Sequence, residues 1–600
     1  MEILSAIIQM LGGLAMFLYG IEVMGDGLKN SSGDALKRVL EKVSGNLVTG
    51  VLTGTLVTAV IQSSTATIVL AVALIGAGVL TLKQAVAIVM GAYIGTTITA
   101  WITNLAFMEN GGNFFLWLFD TDTLAPIALF LGIVLIMFIK TKKAKTIGDI
   151  SMGFGILFIG LMNMTGAVKG FANSPAFMEL LASFSNSPVL GIIAGLVLTV
   201  IVQSSSATVA MLQSLSATGA MDFSGVYPII MGINIGTTIV TAFYCFVGES
   251  HKDSRRTGLV HVAFNTIGTV AFMIILSVMQ HFQVFGAAFW GMEATSTVIA
   301  VFQSMFNVFT CVLLLPFTNQ LVKLSLFVVK DDPVKAPAHP ELHTLDTNLY
   351  ISPAVAIGEA TKAVAAMGSV ALVNFGRGCE QLMNYDESIN AVIDEDEECL
   401  DQFADRADNF LIGLSKVVED DAGDRQVDML MQSVPNFERI GDYATNLVEF
   451  AQRLKDENAV FSDTAKAELS LLSSAVKEII QITVDAFTNN DNNAAKAIEP
   501  LEETIDDMVM ILRDRHTKRL KSGACSVGSG LVFMEMLTYM ERASDQCSSI
   551  ALMMLARNNE SILQNHYDYL REIHAGNDAA YNAEKDRRRE QYINPLKIIQ

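Results

Sequence analysis

Two polar hexads stand inside long uncharged stretches of the chain. The first reads QSSTAT at 62–67 and the second reads QSSSAT at 203–208, an offset of 203 − 62 = 141 residues. No Asp, Glu, Lys or Arg occurs from Val43 to Leu82 or from Leu180 to Met221. An unpaired hydroxyl or amide in lipid costs about 1–3 kcal/mol, so each hexad must face protein, water or a ligand. Two such hexads predict one shared site.

The residue types of the hexads define the chemistry that this site can perform. If a helix breaks at each hexad, the new N-terminus offers free N–H groups and a partial positive charge, which suit an oxyanion. Hydroxyl and carbonyl oxygens suit a hard monovalent cation. The uncharged stretches hold no Arg or Lys to neutralise a multivalent anion. Co-bound cations would have to do so, and the lack of an intramembrane Asp/Glu chain favours sodium over protons.

The elements around the hexads form two repeats. The uncharged run Val43–Leu82 is about twice the roughly 20 residues that one span needs, which predicts a re-entrant hairpin followed by a crossing helix. Residues 13–20 are echoed at 153–160, and MGAYIGTT at 90–97 is echoed by MGINIGTT at 231–238. Three blocks in register indicate a true internal repeat.

Basic loops give the orientation of the repeats. The loop 140–145 and the segment 252–256 are both basic, which predicts a cytoplasmic position for each. The span at about 124–139 then places the loop 108–122 outside. Because the loops 108–122 and 249–257 end equivalent repeats but lie on opposite sides, the repeats are predicted to be inverted, as in many secondary transporters. The predicted domains are a membrane domain at 1–328, with repeat 1 at about 3–107, repeat 2 at about 146–247 and extra spans at about 258–318.

The two extra spans carry a smaller echo of their own. His261 and Asn265 in one correspond to Gln303 and Asn307 in the other. We interpret His261 and Gln303 as structural hydrogen-bonding residues within the membrane domain.

The second half of the chain has the composition of a solvated domain. A Pro-rich linker is predicted at 329–351, and beyond it apolar residues recur every three or four positions in six segments up to 558. This pattern predicts two three-helix units at 352–558 and a charged tail at 559–600. The chain's net charge of −21 comes mostly from this half, which argues against a nucleic-acid partner. The six cysteines show no CxxC spacing and favour a reducing, cytoplasmic location.

The paired hexads, each followed by a G-x-x-x-G-T-T segment, resemble the type II sodium-phosphate cotransporter family over about residues 3–320. The resemblance implies an all-α polytopic membrane domain that binds phosphate and sodium. It implies as site residues Gln62, Ser63, Ser64, Thr65, Gln203, Ser204, Ser205 and Ser206. Thr65 departs from the pattern, because it replaces the third Ser and adds a methyl group. Weaker candidates from the same match are Thr96, Thr97, Asn234, Thr237 and Thr238, for which tight helix packing is the alternative.

The second half carries an E-R-x-x-D motif twice, at 438–442 and at 541–545. In a doubled three-helix bundle this motif resembles the PhoU domain of phosphate regulation. The resemblance implies a divalent or iron-type metal held by Glu438, Asp442, Glu541 and Asp545. The alternative is that each Glu/Asp pair is bridged by its own Arg on a solvated surface.

Together these features predict a sodium-coupled phosphate transporter of the cytoplasmic (inner) membrane, working by alternating access, with a cytoplasmic PhoU-like domain in a regulatory role. The alternatives are a phosphate exporter acting as an overflow valve and a membrane-tethered signalling scaffold that transports little. An enzyme is disfavoured, because no nucleophile and base pair or Lys-bearing phosphate loop is visible. The net direction, the ion stoichiometry, the identity of the oxyanion and a homodimeric state are left open.

Overall fold

The computed structural model describes residues 2–41, 46–76, 79–107, 121–171, 187–219, 221–246, 252–330, 339–557 and 565–599, together with 179, 181, 183–184, 559 and 562. The chain divides into two compact units, 1–334 and 335–600. Both units are helical throughout the described residues, and an isolated bridge between Asp222 and Glu293 is the β-structure found there. The all-α prediction is confirmed.

Thirteen helices are described in the first unit. In chain order they are α1 (Glu2–Glu41), α2 (Leu47–Ile61), α3 (Ser64–Gly76), α4 (Leu82–Asn104), α5 (Thr121–Phe138), α6 (Lys142–Phe171), α7 (Pro188–Val202), α8 (Ser205–Ser216), α9 (Phe223–Phe246), α10 (Lys252–His281), α11 (Ala287–Trp290), α12 (Ser296–Leu314) and α13 (Thr318–Val328).

Local sequence explains where the key helices begin. The side chain of Asn46 accepts a hydrogen bond from the Val48 N–H and caps α2, whereas Pro188 stands in the first turn of α7. Thr81 and Gln84 form a reciprocal capping box at the start of α4. Asn and Thr side chains accept hydrogen bonds from the free N–H groups of a first helical turn, and Pro has no N–H group that would need a partner there.

The echoed glycine segments of α1 and α6 pack directly on each other. A Cβ atom at Gly13 would lie 2.8 Å from the Gly160 carbonyl oxygen, and one at Gly20 would lie 2.8 Å from the Gly153 carbonyl oxygen. Gly13 of the first repeat is equivalent to Gly153 of the second, and Gly20 is equivalent to Gly160. Exchanging the two repeats therefore converts the contact between Gly13 and Gly160 into the contact between Gly153 and Gly20. The pairing 13 with 160 and 20 with 153 makes α1 and α6 antiparallel, as expected for inverted repeats.

The broken pairs α2–α3 and α7–α8 pack on α4 and α9 through glycines at matching positions. A Cβ at Gly54 would meet the Ile88 carbonyl oxygen at 2.0 Å, and one at Gly195 would meet the Ile229 oxygen at 2.1 Å. A Cβ on the opposing Gly91 or Gly232 would come equally close, at 2.0 Å, to the Val51 or Ile192 oxygen. Only glycine permits this approach of two helix backbones.

Seven of the described helices are long and apolar enough to span a membrane. Six belong to the first unit, and they correspond to α1, α4, α6, α9, α10 and the region of α12 and α13. The seventh, Pro353–Met383, lies in the second unit, where 67% of its most apolar window is buried by its own bundle. Its high mean hydropathy is therefore explained by its burial as the central helix of this bundle.

The second unit contains the six predicted helices and three more. They are α14 (Pro353–Met383), α15 (Glu387–Ser415), α16 (Asp421–Asp456), α17 (Asp463–Asn489), α18 (Asn492–Lys496), α19 (Ile498–Lys521), α20 (Val527–Ala556), α21 (His566–His574) and α22 (Ala579–Ile598). Of the predicted linker 329–351, residues 331–338 lie outside the described residues, and 339–351 hold two 3-10 turns.

The charged region after 559 is more structured than its composition indicates. Helix α22 buries Ile593 and Leu596, which are 2% and 0% exposed. Its Arg588 is also buried and pairs with Glu478 on α17 and Glu584 on its own helix. Lys585 and Arg589 pair with Glu503 and Asp507 of α19. The charges of this region therefore dock α22 on the bundle.

Candidate functional site

Each hexad marks a break between two helices, and the two breaks have nearly the same geometry. Helix α2 ends at Gln62, whose backbone is left-handed at φ 58° and ψ 19°. Helix α7 ends at Gln203 with φ 56° and ψ 20°. This conformation costs a non-glycine residue about 1–2 kcal/mol. Such strain is typical of functional sites.

The serine after each glutamine starts the next helix. The Ser63 hydroxyl accepts a hydrogen bond from the Ala66 N–H, and the Ser204 hydroxyl accepts one from the Ala207 N–H, both at 3.2 Å. The hydroxyls of Thr67 and Thr208 donate to the backbone oxygens of Ser63 and Ser204 at 3.0 and 2.9 Å. The repeated hexad therefore encodes a repeated helix-break-helix turn.

The two breaks meet at one small cavity of about 60 Å³. That is several times the roughly 10–15 Å³ that one water molecule needs. All eight hexad residues implied as the binding site line it, together with Thr237 and with two that sequence reasoning missed, Thr199 and Val240. Thr199 had a detectable signal, since it echoes Thr58 in the repeat, whereas Val240 had none. We call this space the hexad cavity.

The hexad cavity has a partial positive character without an ionised side chain in its described lining. Ser64 and Thr65 begin α3, and Ser205 and Ser206 begin α8, so two helix N-termini face one space. Their first N–H groups have no partner within the helix. The backbone therefore supplies donors to an anion, and the surrounding hydroxyl oxygens supply ligands to a cation.

Further contacts hold the first hexad in place. The Gln62 side-chain amide donates to the Ala59 carbonyl at 2.5 Å, and its oxygen accepts from the Thr99 hydroxyl at 2.9 Å. The Thr65 and Thr241 hydroxyls lie 3.4 Å apart and link α3 to α9, across the two repeats. Thr65, which carries the extra methyl group, still lines the hexad cavity.

Comparisons with known proteins give the family to which each half of the chain is similar. The model of the Na+/Pi-cotransporter family matches residues 16–166 and, a second time, residues 162–297. The PhoU domain model matches 364–451 and 469–554. The chain belongs to the Na+/Pi-cotransporter family and carries PhoU domains. The double match of each model coincides with the repeat in each half of the sequence.

Two relatives match this chain over nearly its whole length. A protein of Escherichia coli named "Putative inorganic phosphate export protein YjbB" is 21% identical over 577 residues, which cover 94% of this chain and 99% of that protein. Its namesake from Salmonella typhimurium is 20% identical over 574 residues with the same coverage. Sodium-dependent phosphate transport protein 2A of Mus musculus is 33% identical over 141 residues, or 22% of each chain. No solved structure matches the chain.

The weaker candidates from the cotransporter motif lie on α4 and α9, and the structure brings one of them, Thr237, to the hexad cavity. The hydroxyls of Thr96, Thr97, Thr237 and Thr238 donate to backbone carbonyls of their own helices at 2.7–3.0 Å. Thr237 alone of the five is part of the described lining of the hexad cavity. Asn234 and Thr238 lie deeper in the unit, 4% and 3% exposed.

The PhoU region brings together carboxylates that differ from the predicted set. Asp442 joins Glu397 and Asp401 of α15, and Asp545 joins Glu502 and Asp506 of α19, with ligand oxygens in each group within 4.8 Å of one another. Glu438 and Glu541 belong to neither group, and Glu541 pairs with Arg513 at 2.9 Å. The structure thus groups Asp442 and Asp545 with acids that the sequence analysis did not name, and a metal-binding role of Glu438 and Glu541 stays a prediction. The missed residues follow the same Glu-x-x-x-Asp spacing, which the sequence did display.

Burial and mutual repulsion shape the electrostatics of both carboxylate groups. Burial, followed by repulsion from Glu499, Asp506 and Asp545, raises the pKa of Glu502 to about 9. Burial and the neighbouring acids raise the pKa of Asp506 to about 6. Burial and Asp401 likewise raise the pKa of Asp442. A bound cation would offset the cost of burial and repulsion most strongly at the carboxylates whose pKa values are raised.

Proposed function

We propose that this protein transports inorganic phosphate across the cytoplasmic membrane together with sodium ions. The observation that carries the proposal is the hexad cavity, where two helix N-termini and eight hexad residues surround one uncharged space. Membership of the Na+/Pi-cotransporter family supports phosphate and sodium as the ligands. The eight hexad residues are the proposed binding residues, with Thr199 and Thr237 beside them.

Sodium coupling follows from the charge balance of the site. A phosphate ion carries one or two negative charges, and the described lining of the hexad cavity offers only partial positive charges against them. Sodium ions bound to the hydroxyl and amide oxygens would neutralise the complex and lower the cost of moving it through lipid. Binding of each ion therefore depends on the other, which is the requirement for a symporter.

Alternating access is supported by the relation between the repeats. The antiparallel packing of α1 on α6 fits two repeats of opposite orientation, and each repeat contributes one helix break to the shared cavity. Movement of one repeat against the other would then open the cavity to one side at a time. The basic segments 140–145 and 252–256 support a cytoplasmic position for the PhoU region under this orientation.

Transport into proteoliposomes tests the proposal. The double variant Ser64→Ala plus Ser205→Ala should lose sodium-dependent uptake of labelled phosphate, because each change removes one hydroxyl from the cavity. The matched control is Thr165→Ala plus Ser325→Ala, whose hydroxyls bond to carbonyls of their own helices at 2.9 and 2.8 Å outside the cavity. Wild-type uptake by the first variant, or equal uptake in sodium and choline, would contradict the proposal.

Net export is the second candidate for the direction of transport. It is favoured by the relatives that match 94% of this chain, which are named as phosphate export proteins. Cellular phosphate in overexpressing cells distinguishes the two directions, since export lowers it and uptake raises it. A scaffold that transports little would leave phosphate unchanged while altering phosphate signalling, including in the Ser64 and Ser205 double variant.

We further propose that the two carboxylate groups of the PhoU region bind multivalent cations and link them to regulation. Six acids in two matched groups, with raised pKa values in both, support this. Divalent cations added at pH 7.5 should raise the melting temperature of the full-length protein in detergent. Asp442→Asn plus Asp545→Asn should remove that rise, and Glu387→Gln, an exposed acid of α15 outside both groups, should not.

A further inference from the structure

A second polar region lies inside the first unit. We define the interhelical polar layer as Tyr93 of α4, Thr238 of α9, His261 and Asn265 of α10, and Gln303 and Asn307 of α12. Each of these residues is at most 4% exposed, and none of the six belongs to the described lining of the hexad cavity. A buried polar region of this size inside a membrane domain is costly and calls for a function.

Hydrogen bonds join the layer across the four helices. The Tyr93 hydroxyl bonds with Nε2 of His261, and the Tyr93 carbonyl accepts from Nδ2 of Asn307 at 2.9 Å. Nδ2 of Asn265 donates to the Thr238 hydroxyl oxygen at 2.6 Å. His261 and Asn265 share one face of α10, as Gln303 and Asn307 share one face of α12, because residues four apart are neighbours on a helix.

These contacts determine where the oxygen and the nitrogen of the Asn265 and Asn307 side-chain amides lie. A backbone carbonyl only accepts, so Asn307 must turn its NH₂ group toward Tyr93 and its Oδ1 away. The Thr238 hydroxyl donates its hydrogen to the Asn234 carbonyl at 3.0 Å. Its oxygen can therefore only accept from Asn265, which must present its NH₂ group there as well. Both amide oxygens are held on the other side as acceptors.

Three acceptors of the layer, all of them amide oxygens, have no partner among the residues that the structure describes. This holds for Oδ1 of Asn265, Oε1 of Gln303 and Oδ1 of Asn307, and also for the hydroxyl oxygens of Thr269 and Thr310 on the same two helices. An unpaired buried acceptor costs about 1–3 kcal/mol. Native proteins leave few such groups. Several in one layer indicate a ligand that supplies what the acceptors need.

We propose that the interhelical polar layer is a binding site for a monovalent cation, separate from the hexad cavity. Three of the four unpartnered side-chain atoms of the layer are neutral amide oxygens, which suit alkali metal ions, and the fourth is Nδ1 of His261. A divalent cation would demand carboxylates, and α9 and α12 contain none. An oxyanion would meet the amide oxygens with like partial charge. The proposal rests on the proposed function only in naming sodium as the ion.

Sodium titration of thermal stability tests the proposal on full-length protein in detergent, without phosphate and with choline as the replacement ion. Gln303→Leu exchanges an amide with an unpartnered oxygen for an apolar side chain of similar size. Its melting temperature in choline should equal or exceed that of the wild type. The sodium concentration for half of the stabilisation should rise at least about tenfold, which corresponds to about 1.4 kcal/mol.

Two more variants keep the test decisive. Asn265→Leu should weaken the sodium response in the same way. Gln303→Glu should instead lower the sodium concentration needed, because it keeps the oxygen and adds a negative charge. The matched control is Thr318→Ala, whose buried hydroxyl donates to the Leu315 carbonyl at 2.6 Å, and it should titrate as the wild type does.

The outcomes separate this site from the hexad cavity. A wild-type sodium response in both leucine variants would mean that the layer holds only water, and it would overturn the proposal. Loss of the whole response in the Ser64→Ala plus Ser205→Ala variant would place sodium at the hexads and overturn it as well. Sodium-independent phosphate transport with an intact response at the layer would instead refute the coupling in the proposed function and leave this site standing.

Discussion

The hexad cavity of the first unit and the carboxylate groups of the second unit differ in the source of their charge. The cavity has no ionised side chain in its described lining, and its donors are backbone N–H groups at two helix starts. The carboxylate groups consist of six acids on intact helices, held together against their own repulsion. One site is made by the path of the backbone and the other by side chains placed on regular helices.

The difference determines how each site responds to mutation. A backbone site depends on residues that never touch the ligand, because helix packing sets where the two N-termini lie. A side-chain site depends on its own acids and on pH. The predictions below test this contrast, starting with the largest effect.

Gly195→Ala should abolish phosphate transport although residue 195 carries no functional group. Its Cβ would lie 2.1 Å from the Ile229 carbonyl oxygen, which forces α7 away from α9 and moves the second helix break. We expect a loss of about 3 kcal/mol of stability, the upper end of the usual cost of overpacking, measured as a lower melting temperature together with lost uptake. Gly166→Ala is the control, because nothing lies within 4 Å of its added Cβ. Normal uptake by the Gly195 variant would contradict the claim that helix packing determines the function of the hexad cavity.

Gln203→Gly should separate stability from function at the cavity. Glycine adopts φ 56° without strain, so the variant should gain up to about 1 kcal/mol. The same change removes an amide from the cavity, and we expect phosphate affinity to fall about tenfold, the effect of about 1.4 kcal/mol. Parallel thermal unfolding and phosphate binding measure both quantities. A variant that is less stable and binds normally would show that Gln203 is a structural residue.

Glu502→Gln should change the pH dependence of the PhoU region, with the smallest effect of the three. The pKa of Glu502 is raised to about 9 in the folded protein, so the folded state binds more protons than the unfolded state between about pH 4.5 and 9. Stability therefore falls as pH rises through that window. The variant should reduce this fall and raise the melting temperature at pH 8 by about 2–4 °C, as about 1 kcal/mol does. An unchanged pH profile would contradict the assignment.

The sequence predicted the cavity better than the carboxylate groups for a physical reason. Uncharged flanks and an exact spacing mark the hexads, because lipid tolerates no unpaired polar group. Polar residues on solvated helices carry no such signal. Glu397, Asp401, Glu502 and Asp506 were therefore missed, although they repeat the spacing of the motifs that were found. The left-handed backbone at Gln62 was also beyond sequence reasoning, since glycine is the usual residue there.

The docking of α22 was missed for a related reason. Its run of charges is typical of a solvated tail, and only the fold shows that Arg588 and Lys585 find carboxylates on α17 and α19. The buried Ile593 and Leu596 follow this charged run in the sequence.

An experimental structure of the protein in sodium and phosphate tests the central claim most directly. The account predicts density for one phosphate between the two helix starts, within hydrogen-bond distance of backbone N–H groups from both 64–65 and 205–206. Phosphate bound to only one of the two helix starts, or elsewhere in the chain, would contradict a shared site.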